Sequence, residues 1–372
     1  MSITAQSNYC PLFYKGLHIT ENHNNISVGH CCISTLGPRT EKIDFDSNNF
    51  LVHNRNSWAT EKVSGCQSCW NNEANNQTSQ RLFNIDKFKD IGNPVTTELV
   101  NLDYSVGKLC NAKCIICNSN VSSTWAAEDY KFSNAKPVGK IFNATENSRV
   151  QNLNLSKLRW LYFTGGEALM TNAPTDILNL IKLQQGSLAN ISFQTSTNGS
   201  IRPSPELVAL WQDCQDVTLF ASIDATADAF EYIRNPLEWE QVKNNLDFIL
   251  DIGPNINIHI SVTLGLHNID ELEKTYQWYL SKSWDQEKNQ FTLHNCYGTY
   301  ALSNASHQML DIWKTKISAM NYPWRDQVLN MLNVPGKNNT VWLNHLKQMD
   351  FRRNRDWTND LTGLNETYTR TL

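Results

Sequence analysis

Residues 108–120 read KLCNAKCIICNSN and place Cys110, Cys114 and Cys117 in the spacing Cys-x3-Cys-x2-Cys. Three thiols on so tight a loop suit a [4Fe–4S] cube, in which each thiolate holds one iron. Three ligands for four irons leave one iron open, which makes such a cluster a reaction site and not only an electron store. On spacing alone, a zinc site completed by a fourth cysteine elsewhere is the alternative.

The loop directly follows ELVNLDYSV (98–106), which reads as a strand and leads to a helix around 122–130. Beyond a polar insertion at 133–157, strands are expected at LRWLYFTGG (158–166), ISFQTSTNG (191–199), VTLFASID (217–224), NINIHISVTL (255–264) and QFTLHNCY (290–297). Helical stretches separate them near 175–183, 205–211, 227–232, 239–250 and 269–279. Strands alternating with helices predict a parallel sheet with right-handed crossovers. Six such units make the fold class α/β, a partial (β/α)6 version of the eight-fold barrel. Ligands in such folds sit at the C-terminal ends of the strands. The expected organisation is a cysteine-rich module at 1–95, the partial barrel at 96–300 and a helical region at 301–372.

Polar clusters fall at those strand ends: Gly165-Gly166-Glu167, then Thr197-Asn198-Gly199, then Ser222-Ile223-Asp224. Each alone is an ordinary turn. In order, after a three-cysteine loop, they resemble the radical S-adenosylmethionine (radical SAM) superfamily, whose loop is CxxxCxxC and whose second strand ends in GGE. The resemblance spans roughly residues 98–300. It implies that Cys110, Cys114 and Cys117 hold a catalytic [4Fe–4S] cluster whose open iron binds S-adenosylmethionine. It also implies that Gly165, Gly166 and Glu167 border the methionine amino group, with Asn198, Ser222 and Asp224 near the ribose and carboxylate. Ile116 stands where that family often has an aromatic residue beside the adenine. The implied reaction is reductive cleavage of the cofactor to a 5′-deoxyadenosyl radical, which abstracts a hydrogen from substrate. An external flavodoxin or ferredoxin would supply the electron.

The chain has 10 cysteines, and eight of them lie in its first third. Leu17–Cys31 reads as a hairpin, and CQSCWNNE (66–73) as a Cys-x2-Cys knuckle. Otherwise residues 1–95 read as irregular and too polar to hold together by a core alone. Cys10, Cys31, Cys66 and Cys69 are the expected ligands of a second metal site, with Cys32 the alternative to Cys31, since neighbouring strand residues point to opposite faces. The layout resembles the twitch/SPASM-like modules that carry an auxiliary [4Fe–4S] cluster, although those usually follow the barrel. Structural zinc is the competing occupant. Relatives with such modules commonly modify ribosomally made peptides. The resemblance therefore implies a precursor peptide as partner, oxidised or crosslinked, with radical chemistry on a small metabolite or sugar as second choice and RNA modification third. The rival from another class is a zinc-stabilised, non-enzymatic binding protein, against which the intact CxxxCxxC and GGE argue. Cys214 and Cys296 read as packing thiols.

The 372 residues include 32 Lys and Arg against 36 Asp and Glu, a formal charge of −4. That balance argues against a broad nucleic-acid surface. No apolar run approaches the ~20 residues of a membrane span. The N-terminus lacks the basic and apolar regions of a secretory signal. A cytoplasmic location is expected, where close cysteines read as metal ligands before disulfides.

Overall fold

The computed structural model describes residues 8–22, 25–40, 43–75, 77–91, 95–133 and 150–372. Eight strands form one mostly parallel sheet: β1 (Gly16–Asn22), β2 (Asn25–Gly29), β3 (Asn101–Ser105), β4 (Trp160–Thr164), β5 (Ser192–Thr197), β6 (Asp216–Ser222), β7 (Ile256–Leu264) and β8 (Phe291–Asn295). Their order is β2-β1-β3-β4-β5-β6-β7-β8, so the six strands expected from the βα repeats lie side by side in chain order. Burial alternates strictly along β7: Ile256, Ile258, Ile260, Val262 and Leu264 are buried, and the residues between them are half-exposed. A strand packed on both faces reads as a continuous apolar run. Here only one face of the strand is apolar and packed, and Asn257, His259, Ser261 and Thr263 give the other a polar character.

The chain divides into two compact units. The first comprises Met1–Leu109, Gly139–Thr195 and Pro203–Thr218. Its helices are α1 (Leu12–Lys15), α2 (Asn49–Ser57), α3 (Gln67–Ala74), α4 (Gln80–Lys87), α6 (Ala173–Gln185) and α7 (Pro205–Asp213). A row of rings joins sheet to helix: Tyr104 to Phe163 at 5.9 Å, Phe163 to Phe193 at 5.6 Å and Phe193 to Trp211 at 5.5 Å. Ser204 caps α7 by accepting from the Leu207 amide, and Pro205 fills its first turn.

The hairpin forms as expected, with His18 opposite Gly29. It does not stand apart, because β1 pairs in parallel with β3, Gly16 opposite Asn101. The expectation of an irregular polar segment at 1–95 is corrected by α2, α3 and α4. That segment has a core of Cys10, Leu12, Phe13, Cys31, Val63, Phe88 and Val100. Two buried arginines tie it down. Arg55 donates to the carbonyls of Phe13 (2.7 Å), Phe45 (2.7 Å) and Asp46 (3.2 Å). Arg81 donates to the Tyr9 carbonyl (3.0 Å) and forks onto Glu73.

The second unit comprises Cys110–Val138, Ser196–Arg202 and Leu219–Leu372. It holds α5 (Ser123–Ser133), α8 (Ala227–Ile233), α9 (Trp239–Leu250) and α10 (Leu272–Leu280). The expected helical C-terminal stretch contains α11 (His307–Ser318), α12 (Arg325–Met331), α13 (Val341–Arg353), α14 (Trp357–Asp360) and α15 (Thr362–Thr369). Most of the expected polar insertion, residues 134–149, lies outside the described residues. No helix among the described residues is long and apolar enough to cross a membrane.

Candidate functional site

The cysteine loop is held from two sides within the second unit. From α5, Ser123 Oγ bonds both the amide and the carbonyl of Cys110 (3.1 Å each), Ser122 Oγ donates to the Ala112 carbonyl (2.7 Å), and Trp125 Nε1 donates to the Cys114 carbonyl (2.7 Å). From the end of α8, the Asn235 carbonyl accepts from the Lys113 amide (2.7 Å) and the Ile233 carbonyl from the Ile115 amide (2.9 Å). The loop's geometry is therefore fixed largely by contacts to its backbone, and the Cys110 thiol accepts from the Ala112 amide (3.4 Å). Burial pushes the Cys114 thiol up, against the pull of Arg234, and pushes Cys117 up to about 11. A metal binding there must displace those protons.

Asn198, at the end of β5, reaches this loop. Its Nδ2 donates to Asn111 Oδ1 (2.9 Å), and Asn111 Nδ2 donates to Ser200 Oγ (2.8 Å). Ser222 is the last residue of β6 and is half-buried. Asp224, placed by the sequence beside the cofactor, is fully buried. Its Oδ1 accepts from the Thr263 amide (2.8 Å) and its Oδ2 from Arg234 Nη2 (2.6 Å). Each oxygen thus has a protein partner, and the carboxylate anchors the Arg234 guanidinium and the Thr263 amide. Arg234 was not singled out from the sequence. Its Nη1 lies 3.6 Å from Cys114 Sγ, while its buried Nε has no hydrogen-bond partner among the described residues. Burial opposes its charge, and Asp224 and Cys114 more than restore it.

In the first unit, the Gly165–Glu167 turn closes on the residues just before the cysteines. The Gly166 amide donates to the Gly107 carbonyl (2.8 Å) and the Glu167 amide to the Leu109 carbonyl (2.7 Å). A Cβ on Gly166 would sit 2.3 Å from the Leu109 carbonyl oxygen, so only glycine permits this approach. Gly165 has φ +121°, a conformation that side chains other than glycine's rarely adopt. Glu167 is fully buried, and its carboxylate accepts from the Leu169 amide (3.3 Å).

Cys10, Cys31, Cys66 and Cys69 gather in one region of the first unit. Burial pushes Cys10 well up, and the charges of Cys31, Cys66 and Cys69 push it further. Burial with Cys31 and Cys69 takes Cys66 up to about 12. Burial, Asp103 on β3 and Cys31 raise the Cys32 thiol to about 12, and Asp103 acts on Cys31 as well. All ten cysteines are free thiols, and no three Cys, His, Asp or Glu among the described residues are already grouped to hold a single ion. Cys31 follows β2, whose end pairs beside the start of β1, whereas Gly165 follows the end of β4. The four thiols and the glycine turn thus lie at opposite ends of the first unit's strands. Cys214 bonds the Leu210 carbonyl through its thiol (3.3 Å), and Cys296 is buried after β8.

A strand, a three-thiol loop and a glycine turn packed against the loop's entry define a class. Residues 104–279 match the family model of the Radical SAM superfamily, so the chain carries a domain of that superfamily. No curated protein matches the chain. Among solved structures, "Native anSMEcpe with bound AdoMet" is 16% identical at TM-score 0.42, over 64% of this chain and 63% of that one. "Native anSMEcpe with bound AdoMet and Kp18Cys peptide" is 15% identical at TM-score 0.41, over 63% and 62%. SuiB of Streptococcus suis bound to S-adenosylmethionine is 14% identical at TM-score 0.34, over 59% and 44%. The chain thus spans less than two thirds of the length of these structures.

The donor set fits the [4Fe–4S] cluster and S-adenosylmethionine that the family implies. Three soft thiols share one loop, and a buried guanidinium faces one of them.

Proposed function

We propose that Cys110, Cys114 and Cys117 hold a catalytic [4Fe–4S] cluster and that the strand ends around them bind S-adenosylmethionine. The single observation behind this reading is the loop itself. Its carbonyls and amides are satisfied by α5 and by residues 233–235, and Arg234 meets Cys114 from the protein side. When bound, the cluster supplies the electron for reductive cleavage of S-adenosylmethionine. Gly165 and Gly166, packed on the backbone of residues 106–109, border the methionine moiety, and Glu167 takes its amino group. Asn198, fixed by Asn111, holds the ribose side with Ser222. Asp224, paired with Arg234, lies on the ribose and carboxylate side with them.

Cys10, Cys31, Cys66 and Cys69 hold a second, fully ligated [4Fe–4S] cluster in this reading. Their mutual electrostatic influence supports it. The substrate class that best suits a twitch/SPASM-like pairing of clusters is a ribosomally made peptide undergoing oxidation or crosslinking, with reduced flavodoxin or ferredoxin as donor. The test is 5′-deoxyadenosine formation by reconstituted protein supplied with dithionite and S-adenosylmethionine. Replacing Cys110, Cys114 and Cys117 together with Ala should abolish it. Formation at the wild-type rate would refute the assignment.

A further inference from the structure

We propose that Arg234 sets the reduction potential of the catalytic cluster by placing a fixed positive charge and a hydrogen-bond donor on the Cys114 sulfur. The inference rests on the reading that Cys114 is a cluster ligand. It concerns how that ligand is tuned, which the ligand assignment leaves open.

The placement is imposed by the backbone. Lys113 and Ile115 flank Cys114, and their amides donate to the carbonyls of Asn235 and Ile233, which flank Arg234 (2.7 and 2.9 Å). Residue 234 is thereby held opposite residue 114. Its Nη1 reaches Cys114 Sγ at 3.6 Å while Nη2 grips Asp224 at 2.6 Å. Asp224 is itself immobilised. Thr263 donates its amide to the carboxylate, and Asn268 Nδ2 bonds both the Asp224 carbonyl (3.0 Å) and the Thr263 carbonyl (3.2 Å). Asn268 Oδ1 in turn accepts from the Gly265 amide (2.9 Å). Nη1, Nη2 and both Asp224 oxygens thus have fixed partners, and of the guanidinium nitrogens Nε alone has none among the described residues.

Stability does not explain such an arm. A buried ion pair roughly breaks even against apolar residues of the same volume, because both ions lose their hydration. The third partner, the sulfur, is the informative one. Reduction by a low-potential donor adds one electron and no proton, and the added negative charge spreads onto the ligating sulfurs. A guanidinium on one of those sulfurs stabilises the reduced form more than the oxidised form and so raises the potential. Hydrogen bonds to the sulfurs and local charge are the protein's established means of tuning such clusters. Arg234 is also a better choice than lysine for this task. Its planar fork serves the thiolate and the carboxylate together, whereas an ammonium on a flexible stem serves one at a time.

The experiment is a redox titration of the reconstituted full chain, followed by electron paramagnetic resonance. The signal to follow is the one that changes when S-adenosylmethionine is added, which separates the open cluster from any fully ligated one. Arg234→Gln is expected to lower the reduced-to-oxidised ratio at fixed potential at least tenfold, about 59 mV for one electron. Arg234→Lys keeps Asp224 paired and should shift the same way by less. It decides the matter if the Gln variant loses its cluster. Wild-type potential in a cluster-replete Lys variant, and in the Gln variant where it holds its cluster, overturns the inference and leaves the ligand assignment standing. A wild-type chain with no cluster responsive to S-adenosylmethionine overturns both. So does such a cluster that survives the triple cysteine variant.

Discussion

Glu128 on α5 should prove the main stabiliser of the cysteine loop. Its side chain is 4% exposed and meets Lys113 Nζ at 2.6 Å and the Arg353 guanidinium at 3.2–3.3 Å. Lys113 lies between two of the loop's cysteines, and Arg353 is 2% exposed and stacked over Trp125 at 5.0 Å. Glu128→Ala leaves those cations uncompensated. Removing one partner of a buried pair costs about 3–5 kcal/mol, and with two cations stranded we expect about 4. At roughly 1.4 kcal/mol per decade, that is about a thousandfold loss of hydrogen-exchange protection for amides that open with this contact. The amides to follow are those of Lys113 and Ile115, which bond Asn235 and Ile233. Burial raises the Glu128 pKa, but Arg353 and then Lys113 pull it below its ordinary 4.5. A carboxylate with a lowered folded pKa stabilises above its unfolded pKa and loses that contribution as pH falls through the folded one. The gap between wild type and variant should therefore begin to narrow as pH falls below 4.5 and close once pH has passed the lowered folded value. Protection of both amides within tenfold of wild type at pH 7 would refute the reasoning.

Gly166→Ala should cost about 1–3 kcal/mol by overpacking and reduce iron retained per chain, because its Cβ would press on the Leu109 backbone. Iron assay and urea unfolding read both effects, and wild-type values in both would contradict the close approach. The triple Cys110/Cys114/Cys117 variant should keep about four irons and four sulfides, the content of one cube. Zinc in their place would end the second cluster. Cys31→Ser in that background should lose this iron and Cys32→Ser should not; the reverse result would exchange the two residues. Burial lowers the Lys87 pKa to about 8 from 10.5. The unfolded chain then holds the extra proton between those values, so wild type should gain stability relative to Lys87→Met as pH rises from 8 to 10.5. The gain should be at most about 3 kcal/mol, less what solvent screens. A flat difference across that window would count against the burial of this amine.

The strands from 98 to 297 were legible because their alternation is local. In β7, Ile256 to Leu264 mark every second position, and the structure buries those residues. The glycine turn and the cysteine loop were legible for the same reason, since each motif is a few residues long. α2 was missed because its inner face is built from Leu51 with Asn54 and Arg55. Those two polar residues are buried, and Arg55 works by bonding carbonyls some forty positions and some ten positions away. No apolar periodicity announces such a helix. Arg234 was passed over although it lies ten residues beyond Asp224. Its importance comes from facing Cys114 across 120 positions of chain, a relation that sequence spacing does not encode. The pairing of β1 with β3 was invisible for the same reason.

That pairing also bears on how safely the protein exists before it is complete. β3 is an inner strand only because β1 covers it, and the chain must close some eighty residues between them to do so. Until then β3 presents a row of unpaired amides and carbonyls, the surface on which strands from other molecules add. Cys31, Cys66 and Cys69 lie along the segment that closes, so filling the second cluster site we propose there would also shut the sheet edge. A chain starved of iron during synthesis should then be lost mainly to aggregation, and the yield of soluble protein should track iron supply more steeply than activity per molecule does.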